Sequence, residues 1–166
     1  MNRILSFKMF ESAHSVPDEL AIWAAKHYWT TEKPDSIPTV PRWLLESSKK
    51  YIKSNSDGRI YRGVRLDTGD SVYVSSAGES WSLDPEVAEN FAWSGYGGGK
   101  AKILSMDVEE LGDVLSMDVL FGSFDENLIS RLGSVSIWGS AFSDVVDMYE
   151  SEREVVTLEE LRVPIS

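Results

Sequence analysis

The chain contains no cysteine among its 166 residues, which excludes disulfides and thiolate metal sites outright. It is also short of positive charge: 16 Lys and Arg stand against 27 Asp and Glu, a formal net charge of -11. Binding along a phosphate backbone needs an excess of Lys and Arg, so direct nucleic-acid binding is not expected. The same charge suits a basic protein partner by complementarity, and it equally serves solubility. No apolar run approaches the roughly 18 residues of a membrane span. The opening residues Met1 to Lys8 lack the apolar length of a signal peptide. These absences lead us to expect a cytoplasmic protein with no membrane partner. What is present is ordinary for a globular chain, 42% apolar and 26% charged. Such a chain suits a single domain, 1–166, that buries a sizeable core without staples.

No internal repeat is visible. Residues 15–29 read as an amphipathic helix, because Val16, Leu20, Trp23 and His27 recur at spacings of four, three and four. His27 falls on that apolar stripe and reads as a packed histidine. Pro34, Pro38 and Pro41 mark a connector. A second helix is expected over 41–54, with Pro41 in its first turn and Trp43, Leu44, Tyr51 and Ile52 toward the core. Asn55-Ser56-Asp57-Gly58 supplies turn chemistry that ends it. From Arg59 the pattern alternates. Ile60, Arg62, Val64 and Leu66 share one strand face, and Tyr61, Gly63 and Arg65 the other. Val72 to Ser76 reads as a short strand. Asp84-Pro85-Glu86 starts a helix, with Asp84 as cap and Pro85 at the first position; Leu83, Val87, Ala88 and Phe91 are its expected buried side. A glycine-rich loop, 94–100, precedes a strand over 101–107. A short helix is expected over 125–132, and late strands over 152–158 and 161–163. The pattern predicts a helical part, 1–57, and a β-rich part, 58–166, hence an α+β fold.

Three features carry chemistry. Arg62 lies on an otherwise apolar strand face, and a guanidinium there must be paired or reach an anion. Sequence leaves open an internal salt bridge, an exposed edge strand, and a two-pronged grip on phosphate. Ser80-Trp81-Ser82 puts two hydroxyls on the same side of a strand, able to orient a carboxylate or a ligand group; capping of the helix that follows is the plainer reading. The run Glu150-Ser151-Glu152-Arg153-Glu154-Val155-Val156 contains carboxylates at i and i+2. On one strand face, one carboxylate can stabilise a positive centre while the other accepts a proton. A solvated charged strand end is the plainer alternative.

Taken in order, Tyr61-Arg62-Gly63, Ser80-Trp81-Ser82, the helix Leu83 to Ala92, and Glu152-Arg153-Glu154-Val155-Val156 resemble the arginine–serine–glutamate class of mono-ADP-ribosyltransferases. The resemblance covers roughly 59–158 and is nearest in style to small bacterial-toxin and bacteriophage members. In a phage protein, the cytoplasm would be the host's. Two departures stand out. Trp81 replaces the usual Thr between the serines, and Glu150-Ser151-Glu152 offers a second Glu-x-Glu register. Glu152/Glu154 is the pair that directly precedes the apolar strand.

The resemblance implies two small, mostly antiparallel sheets forming an NAD⁺ cleft, with helices N-terminal to them. NAD⁺ would be the substrate, with no metal. Arg62 would hold the pyrophosphate, and Tyr61, Gly63, Ser80, Trp81, Ser82 and Phe91 would contribute to cofactor binding. The loop 94–100 would take the phosphate–nicotinamide position, with Tyr96 stacking on the nicotinamide. Ser80 would orient the catalytic carboxylate. Glu154 would stabilise the charge on the ribose, and Glu152 would engage the acceptor, which a Glu at that position implies to be arginine. The segment 140–149 would recognise the target protein, with Phe142 and Tyr149 as candidate contacts or as ordinary packing. Two other activities fit the same residues: an NAD⁺ glycohydrolase with water as acceptor, and a catalytically silent binding module.

Overall fold

A computed structural model describes residues 15–30, 36–67, 69–94 and 98–165. In chain order the elements are α1 (Asp18–Trp29), α2 (Arg42–Asn55), β1 (Arg59–Leu66), β2 (Val72–Ser75), β3 (Ser80–Ser82), α3 (Pro85–Ser94), β4 (Lys100–Asp107), a 3-10 turn (Val108–Glu110), β5 (Val114–Ser116), α4 (Met117–Gly122), α5 (Glu126–Leu132), β6 (Ser136–Ile137), β7 (Ser140–Ala141), α6 (Phe142–Met148), β8 (Glu154–Thr157) and β9 (Leu161–Pro164). The fold is mixed α+β. Its helices are not confined to 1–57, since α4, α5 and α6 lie in the second part of the chain. The chain divides into two compact units, Met1–Leu44 with Leu120–Tyr149, and Leu45–Val119 with Glu150–Ser166. No helix of the described residues is long and apolar enough to cross a membrane.

The first unit is built on apolar and aromatic packing. In α1, Leu20, Ala21, Trp23, Ala24 and Ala25 are buried. Asp18 and Glu19 sit in its first turn and Lys26 and His27 in its last, the arrangement a helix dipole favours. His27 stacks on Trp23 with ring centroids 4.9 Å apart. Phe121 and Tyr149 stack at 4.0 Å, and Tyr28 meets Tyr149 edge-on at 5.0 Å. The segment 140–149, expected from sequence to be a loop, is therefore a strand end and a helix. Its start closes a small hairpin, β6–β7, through Trp138 and Gly139, both at positive φ (49° and 88°). That geometry suits a tight two-residue hairpin turn. The rest is α6, which buries Phe142 and Val145. Phe142 is 0% exposed and Tyr149 is spent on the aromatic stack, so both are packing residues.

The second unit is organised by a five-stranded sheet in the order β4-β1-β3-β8-β5, antiparallel throughout. β1 pairs with β4 along its full length, from Arg59↔Asp107 to Leu66↔Lys100. The alternation in β1 buries Ile60 and Val64 in a core with Trp81, Leu104, Val155 and Val163. β2 and β9 form a separate antiparallel pair, and Tyr73, Leu161 and Val163 belong to that same core.

α3 packs on the opposite face of β1. Gly63 makes this possible: a Cβ there would lie 1.8 Å from the Ala88 carbonyl oxygen. The helix therefore turns its small residues inward, and Ala88 and Ala92 are its buried positions. Leu83 is buried as expected, but Phe91 is 58% exposed. The close approach through glycine selects the Ala88–Ala92 stripe and rotates Phe91 outward. Asp84 begins α3 as the sequence suggests, its Oδ1 accepting from the Glu86 amide at 2.9 Å. β8 starts at Glu154, not at 152, because Arg153 adopts a left-handed backbone with φ 54°.

Candidate active site

The three motif segments are neighbours in the sheet. Ser82 of β3 is the register partner of Tyr61 on β1 and of Glu154 on β8. Opposed residues and every second residue share a face, so Tyr61, Ser80, Ser82 and Glu154 project to one side. Ser80 faces Val156 across the ladder, which makes it the diagonal neighbour of Glu154, within reach of a cross-strand interaction. Ser82 is largely spent on structure. Its hydroxyl donates to the Glu152 carbonyl at 2.9 Å and accepts from the Asp84 amide at 3.0 Å. It thereby ties the approach to β8 to the start of α3.

The turn that delivers Glu152 and Glu154 is held from several sides. The Arg153 amide donates to Ser151 Oγ at 3.2 Å, and the Arg153 guanidinium donates to the Asn55 carbonyl at the end of α2. Ser151 Oγ donates to Asp118 at 2.7 Å, which also accepts from the Tyr51 hydroxyl at 2.8 Å. A non-glycine residue in a sparsely populated backbone region costs on the order of 1–3 kcal/mol and persists only where its surroundings over-determine it; these bonds do so. The result is a carboxylate pair. Partial desolvation first, and the charge of Glu154 second, push the Glu152 carboxyl above the usual glutamate value. Glu152 also forms one wall of an open cavity of about 190 Å³, whose other wall is Val87, Asn90, Phe91 and Ser94 of α3. Small-molecule pockets usually span roughly 300–1,000 Å³, so this one has the size for a side chain.

Arg62 leaves the opposite face of the sheet. Its Nε donates to the Tyr73 hydroxyl at 3.1 Å, and its Nη1 donates to the Ser80 carbonyl at 2.5 Å. Glu79 lies 3.4 Å from Nε. The Glu79 carboxylate accepts in turn from Tyr73 at 3.1 Å and Ser75 at 2.8 Å, and Ser75 Oγ accepts from the Trp81 indole at 3.2 Å. Of the alternatives that sequence left open, an internal ion pair is the one seen. Arg62 therefore stands on the other side of the sheet from Glu154, and the pyrophosphate grip expected from sequence is not brought together with the carboxylates.

Several expected site residues have other duties. Trp81 is 2% exposed in the hydrophobic core; alternation points it away from Ser80 and Ser82, so it does not line a ligand surface. Gly63 is covered by α3. The Tyr61 hydroxyl donates to Asp57 at 2.6 Å, a bond that holds Asp57 below the usual carboxylate range. Phe91 lines the cavity. Tyr96 lies outside the described residues. Glu150 precedes the turn, and Glu154 is the residue paired to Ser82, which favours the Glu152/Glu154 register. Sequence reading missed Glu79 and Asn90. An acid immediately before the Ser-x-Ser strand was the available signal for Glu79. For Asn90 it was the stripe 87, 90, 91, 94, which has helical spacing.

No protein-family model, curated protein or solved structure matches this chain. Among the described residues, no group of three or more His, Asp or Glu is placed to hold a metal ion.

Proposed function

We propose that this protein is an NAD⁺-dependent mono-ADP-ribosyltransferase that modifies protein arginine, with an ADP-ribosyltransferase-like arrangement of its sheets. One observation carries the reading: a like-charged Glu152–Glu154 pair lies beside a Ser-x-Ser strand and opens onto a side-chain-sized cavity. A carboxylate held beside another on a strained turn serves no packing purpose, and a perturbed carboxyl such as that of Glu152 is a feature of functional sites.

In the proposed reaction, the bond between nicotinamide and the ribose breaks, and nicotinamide leaves with the electron pair. Positive charge develops on the ribose, where Glu154 stabilises it through the 2′-hydroxyl. A guanidinium nitrogen of the acceptor then bonds to the ribose carbon, and Glu152 accepts the proton it gives up. A raised carboxyl pKa makes Glu152 a better base than an ordinary glutamate. Ser80 orients Glu154. Arg62, on the other face of the sheet and held by Tyr73, Glu79 and the Ser80 carbonyl, has no part in this step. The partner is a basic or arginine-presenting protein.

The test is incubation of the purified chain with labelled NAD⁺ and a cell lysate, followed by identification of the modified residues. Label on arginine side chains is the expected result. Nicotinamide release without protein label would assign water as the acceptor. No turnover of NAD⁺ would contradict the proposal.

A further inference from the structure

The outer face of α3 is the least explained surface of the second unit. The helix buries only Ala88 and Ala92. Two exposed stripes remain. Val87, Asn90, Phe91 and Ser94 face the cavity with Glu152. The adjoining stripe carries Glu86, Glu89 and Trp93. Phe91 and Trp93 are 58% and 69% exposed, Trp93 being more exposed than any other large apolar residue described. The two aromatics are two residues apart and so flank the exposed surface from either side, with the acidic stripe next to Trp93 and the cavity next to Phe91. Glu86 and Glu89 supply the charge beside Trp93 and Glu152 the charge at the cavity; no Lys or Arg occurs within α3, and Arg65 of β1 donates to the Trp93 carbonyl at 3.5 Å at the end of the helix.

We infer that the exposed aromatic–acidic face of α3 docks a basic, arginine-bearing segment of the acceptor protein, with Phe91 and Trp93 as its anchors. The inference rests on the transferase reading for what happens after docking, but not for docking itself. Complementarity selects the occupant. Arginine is the cation that stacks flat on Trp and Phe faces while donating to carboxylates. The net charge of -11 steers a basic protein toward the surface and repels nucleic acid. The cavity beside Phe91 has room for one side chain and ends on Glu152, the residue proposed to take the acceptor's proton. An arginine seated there would meet its base, while flanking basic residues would lie over Trp93, Glu86 and Glu89.

The experiment compares the wild-type chain with Trp93→Ala, using a synthetic arginine-rich peptide and agmatine, a free guanidinium compound, as acceptors. Peptide binding is measured by calorimetry without NAD⁺, and transfer kinetics are measured with it. Losing one or two cation–aromatic contacts should raise the peptide Kd and KM roughly fivefold to tenfold. Peptide kcat, agmatine modification and NAD⁺ hydrolysis should be unchanged. Trp93 is exposed, so the variant should fold, and Glu86→Gln/Glu89→Gln provides a second variant that should weaken peptide binding without touching an aromatic. Unchanged peptide binding in both variants would overturn the docking site. So would self-association of the wild-type chain that Trp93→Ala abolishes, since that would assign the face to a second copy. If the peptide binds through Trp93 but NAD⁺ is never consumed, docking stands and the transferase reading falls.

Discussion

The two faces of the central sheet are built from the same three strands, β1, β3 and β8, yet they treat charge in opposite ways. On one face Arg62 is neutralised. Glu79, Tyr73, Ser75 and Trp81 form a chain of donors and acceptors that pairs the guanidinium with a carboxylate. On the other face two carboxylates are held side by side, and Glu152 is pushed toward its protonated form. The first arrangement lowers the energy of the folded chain. The second sets a partly desolvated carboxylate near another, and the left-handed Arg153 adds a backbone cost. A protein retains such a feature where activity requires it, which is why the proposed activity is assigned to the carboxylate face and not to the Arg62 face.

That separation can be broken in a definite order. Glu154→Gln should have the largest effect on activity. Loss of a group acting at the reacting centre costs on the order of 10²–10⁴ in rate, so both nicotinamide release and transfer should vanish from routine assays. The fold should stay intact, as read by circular dichroism. Glu152→Gln should come next. Glutamine keeps the size and hydrogen-bonding reach but cannot take a proton. Transfer to arginine should be lost while NAD⁺ hydrolysis persists, measurable as nicotinamide release without labelled acceptor. Retained arginine transfer would shift the active pair to Glu150/Glu152.

On the Arg62 face the expected loss is one of stability. Glu79→Ala leaves a half-buried guanidinium without its carboxylate, and leaves Tyr73 and Ser75 without an acceptor. It should destabilise the chain by about 1–3 kcal/mol in urea unfolding. The smallest effect concerns pH. The folded pKa of Glu152 lies above the ordinary 4.5, so in the window just above 4.5 the folded state holds more protons than the unfolded one. Stability therefore falls as pH rises through that window, and Glu152→Gln should flatten the decline. Transfer needs the ionised form, so the acid limb of its rate profile should lie above pH 4.5. A limb at or below that value would remove Glu152 from the proton-accepting role.

Much of this was legible in the sequence where local rules act alone. The alternation of β1 follows from a period of two, and Asp84-Pro85 marks the start of α3 by capping chemistry. Glu154 could be placed because Val155 and Val156 announce a strand buried on both faces. Legibility ended where distant segments meet. Phe91 reads as buried on any helical wheel, and only Gly63, on another strand, turns it outward. Glu79 shows its purpose only when β1 and β2 bring Arg62 and Tyr73 to it. The left-handed Arg153 is imposed by Asn55 and Ser151. The segment 140–149 read as a loop because a hairpin with two-residue strands leaves almost no periodicity to detect.

The claim that the carboxylate face is where chemistry occurs meets its most direct test in the release of free nicotinamide by the purified wild-type chain, followed over time with NAD⁺ as the only addition. The account predicts steady release, faster when agmatine is supplied, and none from Glu154→Gln. Absence of release from the folded wild-type protein, with and without agmatine, would contradict it.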